Sequence, residues 1–348
     1  MNTVPQSIID QAIAVAEQWQ NRANQLLTQE EKRLQDQMRR LLNHPQDKFL
    51  FSRMIDQAFR SGSSLRVADQ LRTLIRHHGV PHFLSTMEQA ALNLFNGAGN
   101  RLASLAVPIM IKQMRTASSR MIIPGESETL QAHLQLRRQQ GVRMNINHLG
   151  EMVLGETEAA RRLATYVKDM ENPDITYISI KISTLYSQIS SLALDHTVAV
   201  LKERLTTLFR AAQQHAVPQA DGSKPAKFIN LDMEEYRDLS ITYAAFLATL
   251  DQPEFRDLPA GIVLQAYLPD SFTIQQQLTA WAKNRVAQGG APIKLRIVKG
   301  ANMEMEKLES ALNNWPLAPY GSKLEVDANY KRMVAYGMRP EHIQAVHL

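Results

Sequence analysis

With 348 residues, 44% of them hydrophobic and 21% charged, the chain has the composition of an ordinary soluble globular protein. It is long enough for one large domain with an accessory piece or for two medium domains. The absence of cysteine excludes disulfides, thiolate metal sites and cysteine nucleophiles, and fits a reducing, cytoplasmic setting. No apolar run reaches the roughly 18 residues of a membrane-spanning helix. The opening stretch, with Pro5 and Asp10, lacks the basic start and apolar core of a secretory leader. The formal charge of +5 is mild but unevenly placed. Arg101, Lys112, Arg115, Arg120, Arg137, Arg138 and Arg143 stand against only Glu126 and Glu128. Such a patch suits anionic lipid or a phosphate-bearing cofactor, and equally a solvated set of helix faces.

The first elements are helical. From residue 7 to about 44 an apolar stripe runs through Ile8, Ile9, Ala12, Ile13, Val15, Ala16, Trp19, Ala23, Leu26 and Leu27. It continues sparsely through Leu34, Met38, Leu41 and Leu42, and Asn43-His44-Pro45 ends it. Further helical patterns cover 49–59, 64–77, 83–95, 102–117 and 126–140; Val67, Leu71, Leu74 and Ile75 mark the stripe of the second. No strand pattern stands out before about residue 140. Residues 1–140 therefore read as an all-α region of arm and accessory helices.

At Gly141 the rhythm changes. Strand-like runs at 143–149, 175–183, 227–233, 261–267 and 293–300, with a last start at 345–348, alternate with amphipathic patterns at 156–170, 196–215, 235–250 and 272–288. Strands separated by crossovers of that length imply a parallel sheet. Ile178, Ile180 and Ile182 take one face of their run, and Ser179, Lys181 and Ser183 the other. Asn145 pairs with Asn147, Asn230 with Asp232, Val263 with Gln265 and Tyr267, and Arg296 with Val298 and Gly300 in the same way. A doubly wound sheet buries both faces and favours continuous aliphatic strands. One greasy face and one polar face instead fit a (β/α)8 barrel, with aliphatics against outer helices and polar groups at the mouth. The expected fold is thus α/β: an incomplete (β/α)8 TIM-type barrel over 141–348, preceded by the all-α region. Five strands and the beginning of a sixth are counted, so about two and a half βα units are expected beyond Leu348.

Chemistry in such barrels sits at the C-terminal ends of the strands, which nominates Lys181, Asp232, Gln265, Arg296 and Lys299. A cation buried in a strand is costly unless paired, so ion pairs internal to the barrel are the competing explanation for each. Five such groups at one mouth favour a site. Other motifs carry less. Gly97-Ala98-Gly99 lacks a third glycine and follows no strand, so it reads as a helix terminus. His77, His78 and His82 flank Gly79-Val80-Pro81 and read as a turn, with no metal site expected. No interleaved basic-aromatic motif points to nucleic acid.

The segment Arg296-Ile297-Val298-Lys299-Gly300-Ala301 resembles the fifth strand of proline dehydrogenases, including the proline dehydrogenase half of bifunctional proline utilisation enzymes. Other segments agree in order. His148-Leu149-Gly150-Glu151 resembles the loop after the first strand, Ser179-Ile180-Lys181-Ile182-Ser183 the second strand, and Leu231-Asp232-Met233-Glu234-Glu235 the third. Val263-Leu264-Gln265-Ala266-Tyr267 resembles the fourth, and Tyr320-Gly321-Ser322-Lys323 with Asp327-Ala328-Asn329-Tyr330 the stretch before the sixth. The likeness spans about 141–348. Each motif is weak alone; the ordered set is specific.

The resemblance implies FAD-dependent oxidation of L-proline to Δ1-pyrroline-5-carboxylate, by hydride transfer to the flavin N5, with electrons passing to a membrane quinone. Asp232 would lie beside the flavin and organise groups around the reacting ring, and Arg296 would stand near N5 to stabilise negative charge. Lys181 would line the proline pocket and Glu151 would gate it. Met233, Gln265, Val298, Lys299, Gly300 and Lys323 would contact FAD. A fused, NAD-dependent aldehyde dehydrogenase module is expected downstream, and the basic patch would suit peripheral contact with the inner face of the membrane. Asn302-Met303-Glu304 departs from the aromatic residue many relatives carry there. The family's Thr/His flavin contacts and the Arg pair clamping the proline carboxylate are expected beyond Leu348, so residues 1–348 alone are expected to be inactive and prone to aggregate. Two rival readings remain: a class I aldolase or transaldolase with Lys181 as Schiff-base lysine, which leaves Arg296 and Gln265 unexplained, and a non-enzymatic interaction module with a degenerate barrel.

Overall fold

A computed structural model describes residues 5–54, 63–97, 103–118, 123, 125, 127–149, 152–218 and 222–348. The chain divides into two units, Met1–Glu126 and Ser127–Leu348.

The regular elements of the first unit's described residues are all helices: α1 (Gln6–Leu26), α2 (Gln29–Asn43), α3 (Pro45–Arg53), α4 (Ser64–His78), α5 (Thr86–Gly97) and α6 (Ala103–Ser118). The single helix expected over 7–44 is two. Thr28 Oγ1 accepts the Glu31 N–H (3.2 Å) while the Glu31 carboxylate accepts the Thr28 N–H (2.8 Å), a capping box that starts a new helix. Ser85 and Glu88 repeat this device, which moves the start of α5 to Thr86 from the expected residue 83. The pattern at 49–59 belongs to a helix that opens at Pro45, where proline's fixed φ suits a first turn; residues 55–62 lie outside the described residues. Leu50, Met54, Val67, Leu71, Ile75, Leu92, Phe95 and Val107 form this unit's core. The histidine turn is held by buried Asp47, which accepts the Phe83 N–H (2.9 Å) and bonds His82 Nδ1 (3.2 Å).

In the second unit α7 (Ser127–Gln139) precedes β1 (Ile146–Asn147), and Gly141, at φ 71°, turns the chain between them. There follow α8 (Glu156–Glu171), β2 (Tyr177–Lys181), α9 (Ile182–Leu185), α10 (Leu194–Gln214), β3 (Phe228–Asp232), α11 (Leu239–Leu250) and β4 (Gly261–Gln265). The unit continues with α12 (Asp270–Ala287), β5 (Ile293–Val298), α13 (Met303–Asn313), α14 (Lys323–Gly337), α15 (Pro340–Ile343) and β6 (Val346–His347). All six strands pair in parallel in chain order. The α/β class, the parallel sheet and the preceding helical region are as the residue pattern implied. Strand ends are shorter than expected: the run at 143–149 pairs at only two residues, and Ser183 belongs to α9. The pattern from 235 begins as a 3-10 turn, Tyr236–Asp238, before α11. α13 and α14 fill the interval between the strand-like runs at 293–300 and 345–348.

The aliphatic strand face builds the core. Ile178, Ile180, Ile229, Leu231, Ile262, Leu264 and Leu295 are almost wholly buried, clustered with Leu201, Leu205, Phe209, Phe246 and Leu278 of the helices. The other face carries the polar residues, in rows. Asn147, Ser179, Asn230, Gly261 and Lys294 are successive register partners across five strands. Nearer the strand ends, Lys181 pairs with Asp232, and Val263 with Arg296. Gly261 is required in its row: a Cβ there would lie 2.5 Å from Asn230 Oδ1 and 2.9 Å from the Phe228 ring.

Candidate active site

Asp232, the last residue of β3, is the hub of the polar face. Its Oδ1 accepts from Arg296 Nη2 (2.5 Å) and Asn230 Nδ2 (2.8 Å), and its Oδ2 from Asn147 Nδ2 (3.0 Å). The donors come from β5, β3 itself and β1, so the carboxylate is fixed from both sides of its own strand. Burial pushes the Asp232 carboxyl above the usual range, opposed by Arg296, Ser179, Lys181 and Asn230. Arg296 is itself incompletely satisfied: its Nε is buried and has no hydrogen-bond partner. On a side chain that is otherwise 42% exposed, such an N–H leaves hydrogen-bonding capacity for a further acceptor.

A second cluster adjoins it. Lys181 Nζ lies 2.8 Å from Glu234 Oε1, the other Glu234 oxygen accepts from Ser183 Oγ, and the Glu234 carbonyl accepts from Gln265 Nε2 (2.7 Å). Gln265, 2% exposed, also takes the Ala301 N–H on its Oε1 (3.3 Å). Its carboxamide therefore ties the segment after β3 to the segment after β5, and it also hydrogen-bonds the Tyr267 hydroxyl. Met233 is buried between these groups in sequence. A carboxylate beside Lys181 is the opposite of the apolar or cationic surroundings that free an amine for Schiff-base chemistry.

Along the other edge of the mouth, Asp327 of α14 accepts from Lys299 Nζ and Lys323 Nζ, each at 2.6 Å. The two hydrogen bonds hold the Asp327 carboxyl down at about 2. Gly300, at φ 125°, sits flat on Tyr267: a Cβ would meet the ring at 2.2 Å. Val298 and Lys299 present their carbonyls to the N–H groups of Ala266 (2.7 Å) and Tyr267 (2.8 Å), prolonging the β4–β5 ladder past the strand ends.

The structure thus brings Lys181, Asp232, Met233, Gln265, Arg296, Val298, Lys299 and Gly300 to the ends of β2 to β5, with Lys323 at the start of α14. Glu151 lies outside the described residues, as do Arg101 and Arg120 of the basic patch. Three participants carry no role in the sequence pattern: Asn147, Glu234 and Asp327. Glu234 was readable, since the alternation Asn230, Asp232 continues to it. Asn147 shared its strand face but offered no sign of reaching Asp232 across the sheet. Among the described residues no group of acidic and histidine side chains could hold a metal ion.

Ionisable side chains gathered at the C-terminal ends of parallel strands that alternate with helices are the arrangement of a β/α-barrel domain. The proline dehydrogenase family model matches residues 130–348, and the chain belongs to that family. It is similar to proline utilization A from Corynebacterium freiburgense, with 43% identity and a TM-score of 0.61 over 71% of this chain and 26% of that one. It is also similar to proline utilization A from Bdellovibrio bacteriovorus inactivated by N-propargylglycine, with 28% identity and a TM-score of 0.60 over 89% of this chain and 34% of that one. The chain thus spans about a quarter to a third of these proteins. A search of curated proteins gave no match. No helix among the described residues is long and apolar enough to cross a membrane.

Proposed function

We propose that the chain forms the flavin-binding part of a proline dehydrogenase, oxidising L-proline to Δ1-pyrroline-5-carboxylate with FAD and passing the electrons to a quinone. The observation that carries this reading is Asp232 joined to Arg296 at the mouth, with Arg296 Nε buried and lacking an acceptor. The residues fit a flavin: Lys299 and Lys323 supply cations for phosphate, beside the turn that Gly300 makes against the Tyr267 ring. FAD, when bound, supplies the two-electron chemistry that no side chain of this chain has. Arg296, its guanidinium held by Asp232, would place positive charge beside the bound flavin and stabilise negative charge there. Asn147 and Asn230 keep Asp232 in place. Lys181, steadied by Glu234, lines the substrate pocket, and Glu151 gates it. Met233, Gln265 and Val298 would complete the contacts to the cofactor.

In this reading the polypeptide works in the cytoplasm, with peripheral contact at the inner membrane face where a quinone is the acceptor, and an NAD-dependent aldehyde dehydrogenase module for the second oxidation belongs to the same polypeptide. The test is anaerobic addition of L-proline to the FAD-loaded polypeptide as the cell makes it. Bleaching of the flavin band, with stoichiometric pyrroline-5-carboxylate, is expected. A protein that takes up no flavin, or whose flavin stays oxidised in excess proline, sinks the proposal. Trapping of substrate on Lys181 by borohydride would replace it with the Schiff-base reading.

A further inference from the structure

The one buried residue of α13 is a charge. Met305, Leu308 and Leu312 of this helix are exposed, while Glu306 is 9% exposed. Helices ordinarily dock through an apolar stripe, and a buried carboxylate is costly unless it accepts hydrogen bonds. Glu306 Oε1 has two donors from two other segments: the Tyr236 N–H (2.7 Å), past the end of β3, and the Tyr267 hydroxyl (3.4 Å), just past β4. Burial and the Glu306 charge both push the Tyr267 phenol well above its ordinary range, so it stays a donor. Tyr267 in turn gives its N–H to the Lys299 carbonyl (2.8 Å), takes the Tyr320 N–H on its own carbonyl (2.8 Å), and lays its ring under Gly300. A single oxygen atom on the helix after β5 therefore links the segments after β3 and β4, and through Tyr267 it reaches back to the backbone of 299–300.

We propose that Glu306 is a positioning residue for the cofactor platform: it fixes the Tyr267 ring and hence where Lys299 and Gly300 present themselves to FAD. This rests on the flavin reading above. A helix merely packed in place would need no such acceptor, and its loss would not act at a distance on cofactor affinity.

The test compares Glu306→Ala, Glu306→Gln and Tyr267→Phe by two readouts: amide exchange at Tyr236 in the FAD-free protein, and the Kd for FAD. In Glu306→Ala, exchange at Tyr236 should quicken and FAD should bind about tenfold more weakly, the equivalent of one lost hydrogen bond to a charged group. Glu306→Gln keeps an acceptor oxygen and should stay within about threefold of the unaltered protein in both readouts. Tyr267→Phe, which keeps the ring and serves even where Glu306→Ala folds poorly, should weaken FAD about as much as Glu306→Ala and leave Tyr236 exchange unchanged; unchanged FAD affinity in Tyr267→Phe also overturns the proposal. Unchanged FAD affinity in Glu306→Ala, or Glu306→Gln as weak as Glu306→Ala, overturns the proposal. If the unaltered protein takes up no FAD, the flavin reading and the cofactor half of the proposal fall together, while exchange at Tyr236 still decides whether Glu306 joins the segments.

Discussion

Burial pushes the Asp232 carboxyl up while its neighbours pull it back, and each neighbour is a handle on it. Removing a donor to the charged form raises the carboxyl further. Asn147→Ala should therefore slow proline oxidation by about tenfold at neutral pH and move the acid limb of the pH–rate profile upward, while leaving the alkaline limb in place. An unshifted acid limb would show that Asn147 does not act through Asp232. Asp238 is a second buried carboxyl, pushed up to about 6 by burial, with Glu235, Glu234 and Glu306 adding to the shift and Arg237 opposing it. Its folded pKa lies above its unfolded value. The folded state therefore binds the extra proton between about 4 and 6, stability falls as pH rises through that window, and the full cost of ionisation is present above it. Asp238→Asn removes that cost. It should stabilise the protein by about 2 kcal/mol near pH 8 and by almost nothing near pH 4, read from denaturant midpoints at the two pH values. Equal gains at both would assign the effect to the loss of the side-chain shape alone. The face alternation made Asp232, Lys181 and Arg296 legible in the sequence, because period two is a property of the strand itself. What the alternation could not give was reach across strands, so Asn147 remained a polar neighbour until the register placed it.

Among the elements, the strands from β2 to β5 were legible because each has an unbroken aliphatic face, and α13 was not, because its buried position is occupied by Glu306 and Met305, Leu308 and Leu312 face out while only Met303 packs against the core. The division of α1 from α2 was written in Thr28 and Glu31, a local signal overridden in the reading by the long apolar stripe around it. Helix boundaries follow caps more closely than stripes. The turn after β5 tests how tightly one element constrains another. Gly300 combines φ 125° with a ring where its Cβ would be, so Gly300→Ala meets backbone strain and overpacking together. A loss of about 2–4 kcal/mol is expected in denaturant unfolding. In a double-mutant cycle Tyr267→Ala should recover the steric share, giving a coupling of about 1 kcal/mol or more, while the φ penalty remains. Additive losses would place the ring and the glycine further apart than the 2.2 Å approach implies.

Across the chain, two cores of different construction divide the stabilising burial. That of the first unit is gathered from short helices around Leu71 and Val67, and that of the second from the sheet and its crossover helices. Neither contains a residue of α1, which buries none of its side chains and leaves Ile8, Ile9, Ile13, Val15, Trp19 and Leu26 exposed. Its sequence reads as a well-patterned helix, yet the pattern says only that an apolar face exists, not that anything in the chain covers it. Hydrophobic stabilisation scales with area removed from water, and α1 removes little. Deleting residues 1–27 should therefore leave the unfolding free energy of the remaining chain within about 0.5 kcal/mol of the original, because the Thr28–Glu31 capping box that starts α2 stays intact. The same deletion takes away a line of exposed apolar side chains and should reduce concentration-dependent association, measured by light scattering at matched concentrations. A deletion variant that unfolds at markedly lower denaturant, with scattering unchanged, would mean that α1 stabilises the chain through burial not seen in the helix as it stands.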